Sequence, residues 1–319
     1  CPICFANANV RGSIYEPEFD EIVRQMEQLR AYRPVPATAV QFTGGEPTIY
    51  PRFFDVIRRA RDMGFSHIQI ASNGLSLVDP DFAYQCAEAG LHTVYLQFDG
   101  VDDEIYKYTR GRELMDAKLW ALENISNSGM KACLVATIVR GINDNQVPKI
   151  LRFALNNIHV ISAVIYQPVA FTGRISTEER EAQRYTQGDL ANQLEETGYI
   201  NAMRDFYPLS MVAPISRLFS ALSGDPKITA TSHPACSIGT YFIVDKYKNA
   251  VPVTKVFDIE GLLSEIDKFA ERMNKSTFKW WYKSQIPGLF KKYYIPGSAP
   301  KELRVRDFMR NLNCIAEKK

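Results

Sequence analysis

Two stretches carry residues able to do chemistry. Cys1-Pro2-Ile3-Cys4-Phe5 opens the chain, and Gly44-Gly45-Glu46-Pro47-Thr48 closes the first apolar run that follows it. A CxxC pair can be half of a zinc site, a thiol redox pair or part of an iron–sulfur ligand set. A zinc ribbon needs a second ligand pair soon after the first, but the next cysteine is Cys86 and the first histidine His67. A thioredoxin-type pair wants a helix starting at its second cysteine, whereas Asn7, Asn9 and Gly12 make Ala6 to Ser13 read as a loop. Iron and sulfur are left. For the second stretch the plain alternative is a turn in which Gly44-Gly45 ends a strand and Glu46 caps the helix starting near Arg52.

These stretches must be positioned by the elements around them. Apolar residues at Phe19, Ile22, Val23, Met26 and Leu29 have helical spacing, and Thr38 to Thr43 reads as the strand that ends in the glycines. Helices are expected at 52–63, 80–89, 115–128 and 145–156, and strands at 67–71, 93–98, 132–139 and 161–167. Five strands alternating with helices indicate an α/β fold with a parallel sheet. In such folds ligands meet the C-terminal ends of strands. Ser72-Asn73, Gln97, Asp99, Thr137 and Gln167 fall there, as does Asn143 just beyond, although Asn73-Gly74 and Asp99-Gly100 are also ordinary turn pairs. Past Pro168 the pattern changes, with a polar helix expected over about 177–197 and strands over 241–244 and 251–257.

CPICF followed by FTGGEPT resembles the radical SAM enzymes, whose cluster loop is CxxxCxxC with an aromatic beside the last cysteine and whose next strand ends in a GGE-type motif. The first cysteine and the first strand would then lie upstream of Cys1, so the chain is expected to begin inside the motif. The resemblance implies a partial (β/α)6 barrel over 1–170 with a C-terminal α+β region at 171–319 bearing on substrate and auxiliary sites. It also implies a 4Fe-4S cluster on Cys1 and Cys4, with one iron open to the amino-acid end of S-adenosylmethionine. Gly44 and Gly45 would let the backbone approach the methionine, Glu46 would take its ammonium and Arg110, in Tyr108-Thr109-Arg110-Gly111, its carboxylate. Ser72, Asn73, Gln97 and Asp99 would stand near the methionine or ribose, and Thr137, Asn143 and Gln167 near the adenosine. An electron from a donor such as ferredoxin or flavodoxin would cleave S-adenosylmethionine to a 5′-deoxyadenosyl radical, which takes hydrogen from an unactivated carbon.

Farther along, FTGR, DFYP, PIS, TSHPACS with TYFIV, and VFDIEGLL resemble an archaeal subgroup containing tetraether lipid synthase and an enzyme assigned to pterin methylation. The expectation is coupling of isoprenoid lipid chains; the alternative is radical methylation of a pterin or another small molecule. A non-enzymatic reading, a binding module with zinc on its CxxC, is carried beside them. The subgroup's further metal sites make Cys236 and Cys314 candidates for an auxiliary iron–sulfur cluster, against a structural thiol at a turn. Cys86 and Cys133 read as buried apolar residues.

At 319 residues, 46% hydrophobic, the chain can bury one large core or two modest ones. A net charge of +2 offers no general field for nucleic acid. No run approaches the ~20 apolar residues needed to span a bilayer. Six cysteines suit a reducing cytoplasm. Trp280, Trp281, Tyr282, Tyr293 and Tyr294 among lysines could make a peripheral contact at the inner membrane surface, or an ordinary amphipathic helix covering a core.

Overall fold

In the computed structural model the described residues are 15–169, 177–224, 227, 233, 236–245 and 247–297. Cys1, Cys4 and Cys314, and most of the TSHPACS segment, lie outside them. The chain divides into two compact units, Cys1–Leu190 and Ala191–Lys319.

The first unit runs α1 (Phe19–Ala31), β1 (Ala39–Phe42), α2 (Phe53–Asp62), β2 (His67–Ser72), α3 (Pro80–Ala89), β3 (Thr93–Gln97), α4 (Asp103–Arg110), α5 (Met115–Asn127), β4 (Lys131–Ile138), α6 (Val147–Asn156), β5 (Ile161–Pro168) and α7 (Thr177–Gln183), with α8 (Gln187–Glu195) at its end. The five strands form one parallel sheet in sequence order β1-β2-β3-β4-β5. Alternating burial in β2 and near-continuous burial in β4 place Ile68, Ile70, Val94, Leu96, Leu134, Ala136 and Ile138 in the core, each 0% exposed. Phe53, Val56, Ile57 and Ala60 of α2 bury one helical stripe. Because all strands run the same way, their C-terminal ends and the loops after them share one edge.

Two local features depart from the sequence expectation. The polar helix expected over 177–197 is two helices. Thr186 and Asp189 restart the chain as a reciprocal cap: Thr186 N–H and Oγ1 both donate to the Asp189 carboxylate, and Asp189 N–H donates to Thr186 Oγ1. Helix α4 had not been anticipated, although its signals were ordinary. Asp102 caps it by accepting Ile105 N–H at 3.3 Å, and Gly111 ends it at φ +79°, a left-handed conformation favouring glycine.

The second unit contains β6 (Tyr207–Pro208) antiparallel to β7 (Ile238–Gly239), α9 (Ala213–Ser223), β8 (Phe242–Val244) antiparallel to β9 (Ala250–Pro252), α10 (Val253–Val256), α11 (Ile259–Lys275) and α12 (Lys279–Lys292). The strand expected over 251–257 stops at Pro252, which has no N–H for a ladder, and one helical turn follows. Leu262, Ile266, Phe269, Ala270 and Met273 of α11 form the core with Leu218 and Ala221 of α9. Tyr282, Ile286, Leu289 and Phe290 of α12 cover that core, while Trp280 is 70% exposed. Among the described residues no helix is long and apolar enough to cross a membrane.

Candidate active site

The loop after β1 is pinned by Glu46. Its Oε1 accepts Thr48 N–H at 3.3 Å, Thr48 Oγ1–H at 2.7 Å and Ser72 Oγ–H at 2.8 Å; its Oε2 accepts Asn73 N–H at 2.7 Å. One carboxylate therefore ties the end of β1 to the end of β2. Every one of these donors is neutral, and among the described residues no cation pairs with Glu46. Oε2, with two acceptor sites and one bond here, keeps capacity for a further donor. Ser72 and Asn73 are mostly struts. Ser72 Oγ accepts Gly74 N–H at 3.0 Å, and Asn73 Oδ1 accepts Leu75 N–H at 2.8 Å.

Beyond β3 a second cluster centres on Asp99, which is 0% exposed. Its Oδ2 accepts Gln97 Nε2–H at 2.5 Å and Arg110 Nε–H at 2.6 Å, while Oδ1 accepts Thr137 N–H at 3.3 Å. This joins β3, α4 and β4 through a desolvated ion pair with side chains 1% and 12% exposed. Asn143, expected to line the pocket, is instead a wholly buried strut. Its Nδ2 donates to the carbonyls of Asp99 and Thr137, and its Oδ1 accepts Val139 N–H. Gln167 stands at the end of β5 opposite Thr137 in the register and is exposed.

Sequence reasoning passed over Lys118. It is 1% exposed on α5 and donates from Nζ to the Asn73 carbonyl at 2.5 Å and to Gln97 Oε1 at 3.0 Å, joining the two clusters. Its signal was a lysine inside the apolar stripe Leu114, Lys118, Ala121, Leu122, Ile125. Burial pushes its ammonium down to about 7, with Asp99 opposing the shift.

Cys86 and Cys133 are buried, as expected, and burial pushes both thiols up to about 12. Cys236 is exposed, and among the described residues no three His, Cys, Asp or Glu side chains gather as a metal site.

The sequence profile of the Radical SAM superfamily matches residues 1–154. This part of the chain belongs to the radical SAM superfamily. The family implies a 4Fe-4S cluster and S-adenosylmethionine, and the domain is that of a radical SAM enzyme. The described residues suit that cofactor. A Cβ placed on Gly44 or Gly45 would meet nothing within 4 Å, so the backbone there faces open space beside the unpaired Glu46 charge.

Over 279 residues the chain is 43% identical to the 7,8-dihydro-6-hydroxymethylpterin dimethyltransferase of Methanocaldococcus jannaschii, covering 86% of this chain and 55% of that protein. A probable GTP 3′,8-cyclase of Pyrococcus abyssi is 29% identical over 156 residues, 48% of each chain. The chain thus spans about half the length of these curated relatives. Among solved structures, anSMEcpe with bound AdoMet and a Kp18Cys peptide aligns at TM-score 0.47 and 15% identity, covering 72% of this chain and 65% of that one. Methylornithine synthase aligns at TM-score 0.43 and 17% identity, covering 62% and 58%. The expectation of lipid-chain coupling finds no support in these relatives, whereas the pterin alternative does.

Proposed function

We propose that the chain is the catalytic part of a radical SAM enzyme that methylates a reduced pterin or a closely similar heterocycle. The observation carrying this reading is the 43% identity to the pterin dimethyltransferase, which extends well past the superfamily match at residue 154. The cluster would be held by Cys1 and Cys4 with a ligand from elsewhere. When bound, it supplies the electron that cleaves S-adenosylmethionine to methionine and a 5′-deoxyadenosyl radical.

The chain's own residues then bind and orient. Glu46 would receive the methionine ammonium at Oε2, and the bare backbone of Gly44 and Gly45 would give the amino acid room. Ser72 and Asn73 hold Glu46 in place. Gln97 and Arg110, braced by the buried Asp99, would form the wall after β3 and α4 that meets the methionine carboxylate and ribose, with Thr137 beside the adenosine. Electron supply falls to a small carrier such as ferredoxin or flavodoxin.

The test is anaerobic cluster reconstitution followed by S-adenosylmethionine, dithionite and 7,8-dihydro-6-hydroxymethylpterin. For each methyl added, the expected products are 5′-deoxyadenosine and methionine from one S-adenosylmethionine, which takes the pterin hydrogen, and S-adenosylhomocysteine from a second, which gives up its methyl. Dithionite supplies the two electrons, and the pterin becomes heavier by one or two methyl groups. 5′-Deoxyadenosine with unaltered pterin would reject the substrate, and its absence from cluster-loaded protein would reject the radical reading.

A further inference from the structure

Lys118 is a buried cation held by two neutral carbonyls. Both belong to strand ends of the candidate site: the backbone oxygen of Asn73 after β2, at 2.5 Å, and Gln97 Oε1 on β3, at 3.0 Å. The nearest carboxylate cluster, Asp99, is already paired with Arg110. A methionine would fill much the same space without any desolvation cost, so the ammonium is a burden to the fold unless its bonds are used.

What those bonds do can be followed residue by residue. Asn73 is the residue whose N–H holds Glu46 Oε2. Gln97 presents its Nε2 to Asp99 while its oxygen accepts from Lys118, so the two partners enforce the same orientation; the reversed amide would set an oxygen against the carboxylate and an NH2 against the ammonium. A charge-assisted bond at Oε1 also polarises the amide and strengthens the Nε2–H donor.

We propose that Lys118 is a positioning residue of the S-adenosylmethionine site, its ammonium clamping the ends of β2 and β3 so that Glu46 on one side and the Gln97–Asp99–Arg110 set on the other are held ready for the cofactor. This rests on the reading that the site binds S-adenosylmethionine. The clamp responds to pH. Burial pushes the ammonium down to about 7, Asp99 and Glu46 pull it up, and Arg110 and Arg112 push it down. The face of Tyr106 lies 5.8 Å from Nζ, and its own phenol is held far above the ordinary range by burial. The bonds therefore weaken as pH rises through neutrality.

The test is equilibrium dialysis of S-adenosylmethionine against reconstituted wild type, Lys118→Met and Lys118→Arg between about pH 6 and 9, with thermal melting to verify folding. The cofactor's own ammonium titrates alike in every sample and cancels in the ratios. Loss of one charge-assisted bond network predicts about tenfold weaker binding by Lys118→Met near pH 6, with the gap to wild type closing toward pH 9. Lys118→Arg keeps its charge, so its affinity relative to wild type rises with pH. Equal affinity of folded Lys118→Met and wild type near pH 6 would overturn the proposal. Should Lys118→Met not fold, a Lys118→Arg ratio that stays flat with pH would overturn it. Failure of wild type to bind S-adenosylmethionine at all would instead reject the functional reading beneath it.

Discussion

Arg110 meets Asp99 through a single Nε–H bond of 2.6 Å across the end of β3, with the carboxylate side chain 1% exposed and the guanidinium 12%. Removing the cation strands a buried charge, which typically costs about 3–5 kcal/mol. Arg110→Met should therefore destabilise the protein by about 3 kcal/mol in urea unfolding. The double variant Asp99→Asn with Arg110→Met should lose less than the sum of the two single changes, because no charge is left stranded.

Glu46 is both a strut and a carboxylate that makes no salt bridge among the described residues. In Glu46→Gln an amide NH2 replaces one carboxylate oxygen, facing either Asn73 N–H or the donors on Oε1. A lost bond with an unsatisfied donor costs about 1–3 kcal/mol. The melting temperature should fall modestly, while the KM for S-adenosylmethionine should rise tenfold or more through loss of the charge. Wild-type KM in the variant would remove Glu46 from the ammonium site.

Stability should also carry the mark of Lys118. The unfolded chain keeps this proton up to the ordinary 10.5, whereas the folded chain releases it near 7. Between those values the unfolded state binds more protons, so the group's contribution rises with pH across that window and is lost as pH falls through about 7. Each unit of difference corresponds to about 1.4 kcal/mol. Urea unfolding at pH 7 and pH 9 should show wild type gaining stability relative to Lys118→Met. Parallel curves would refute the burial argument.

Thiol reactivity separates the described cysteines. Burial holds Cys86 and Cys133 as neutral thiols far above neutral pH, while Cys236 is exposed. Iodoacetamide at pH 8, followed by peptide mapping, should label Cys236 in the native protein and reach Cys86 and Cys133 after denaturation. Equal labelling of all three in the native state would contradict the packing of α3 and β4.

The sequence by itself determined the parallel α/β order. Period-2 and period-3.6 patterns are local properties of strands and helices, and Gly-Gly-Glu after β1 or Ser-Asn after β2 can be read at a strand end without knowing what lies beside it. Glu46, Ser72, Asn73, Gln97 and Asp99 were legible in this way at strand ends, whereas Arg110 entered only through the resemblance of Tyr108-Thr109-Arg110-Gly111 to the family's segment. Only the tertiary structure decided how they divide their work. Ser72 Oγ–H and Asn73 N–H brace Glu46, Asn143 braces backbone rather than facing the pocket, and Arg110 donates to Asp99. Lys118 was hidden for the same reason. Its partners lie 45 and 21 residues away in sequence, and a lysine on an apolar stripe shows its chemistry only when the fold places carbonyls within reach of its Nζ.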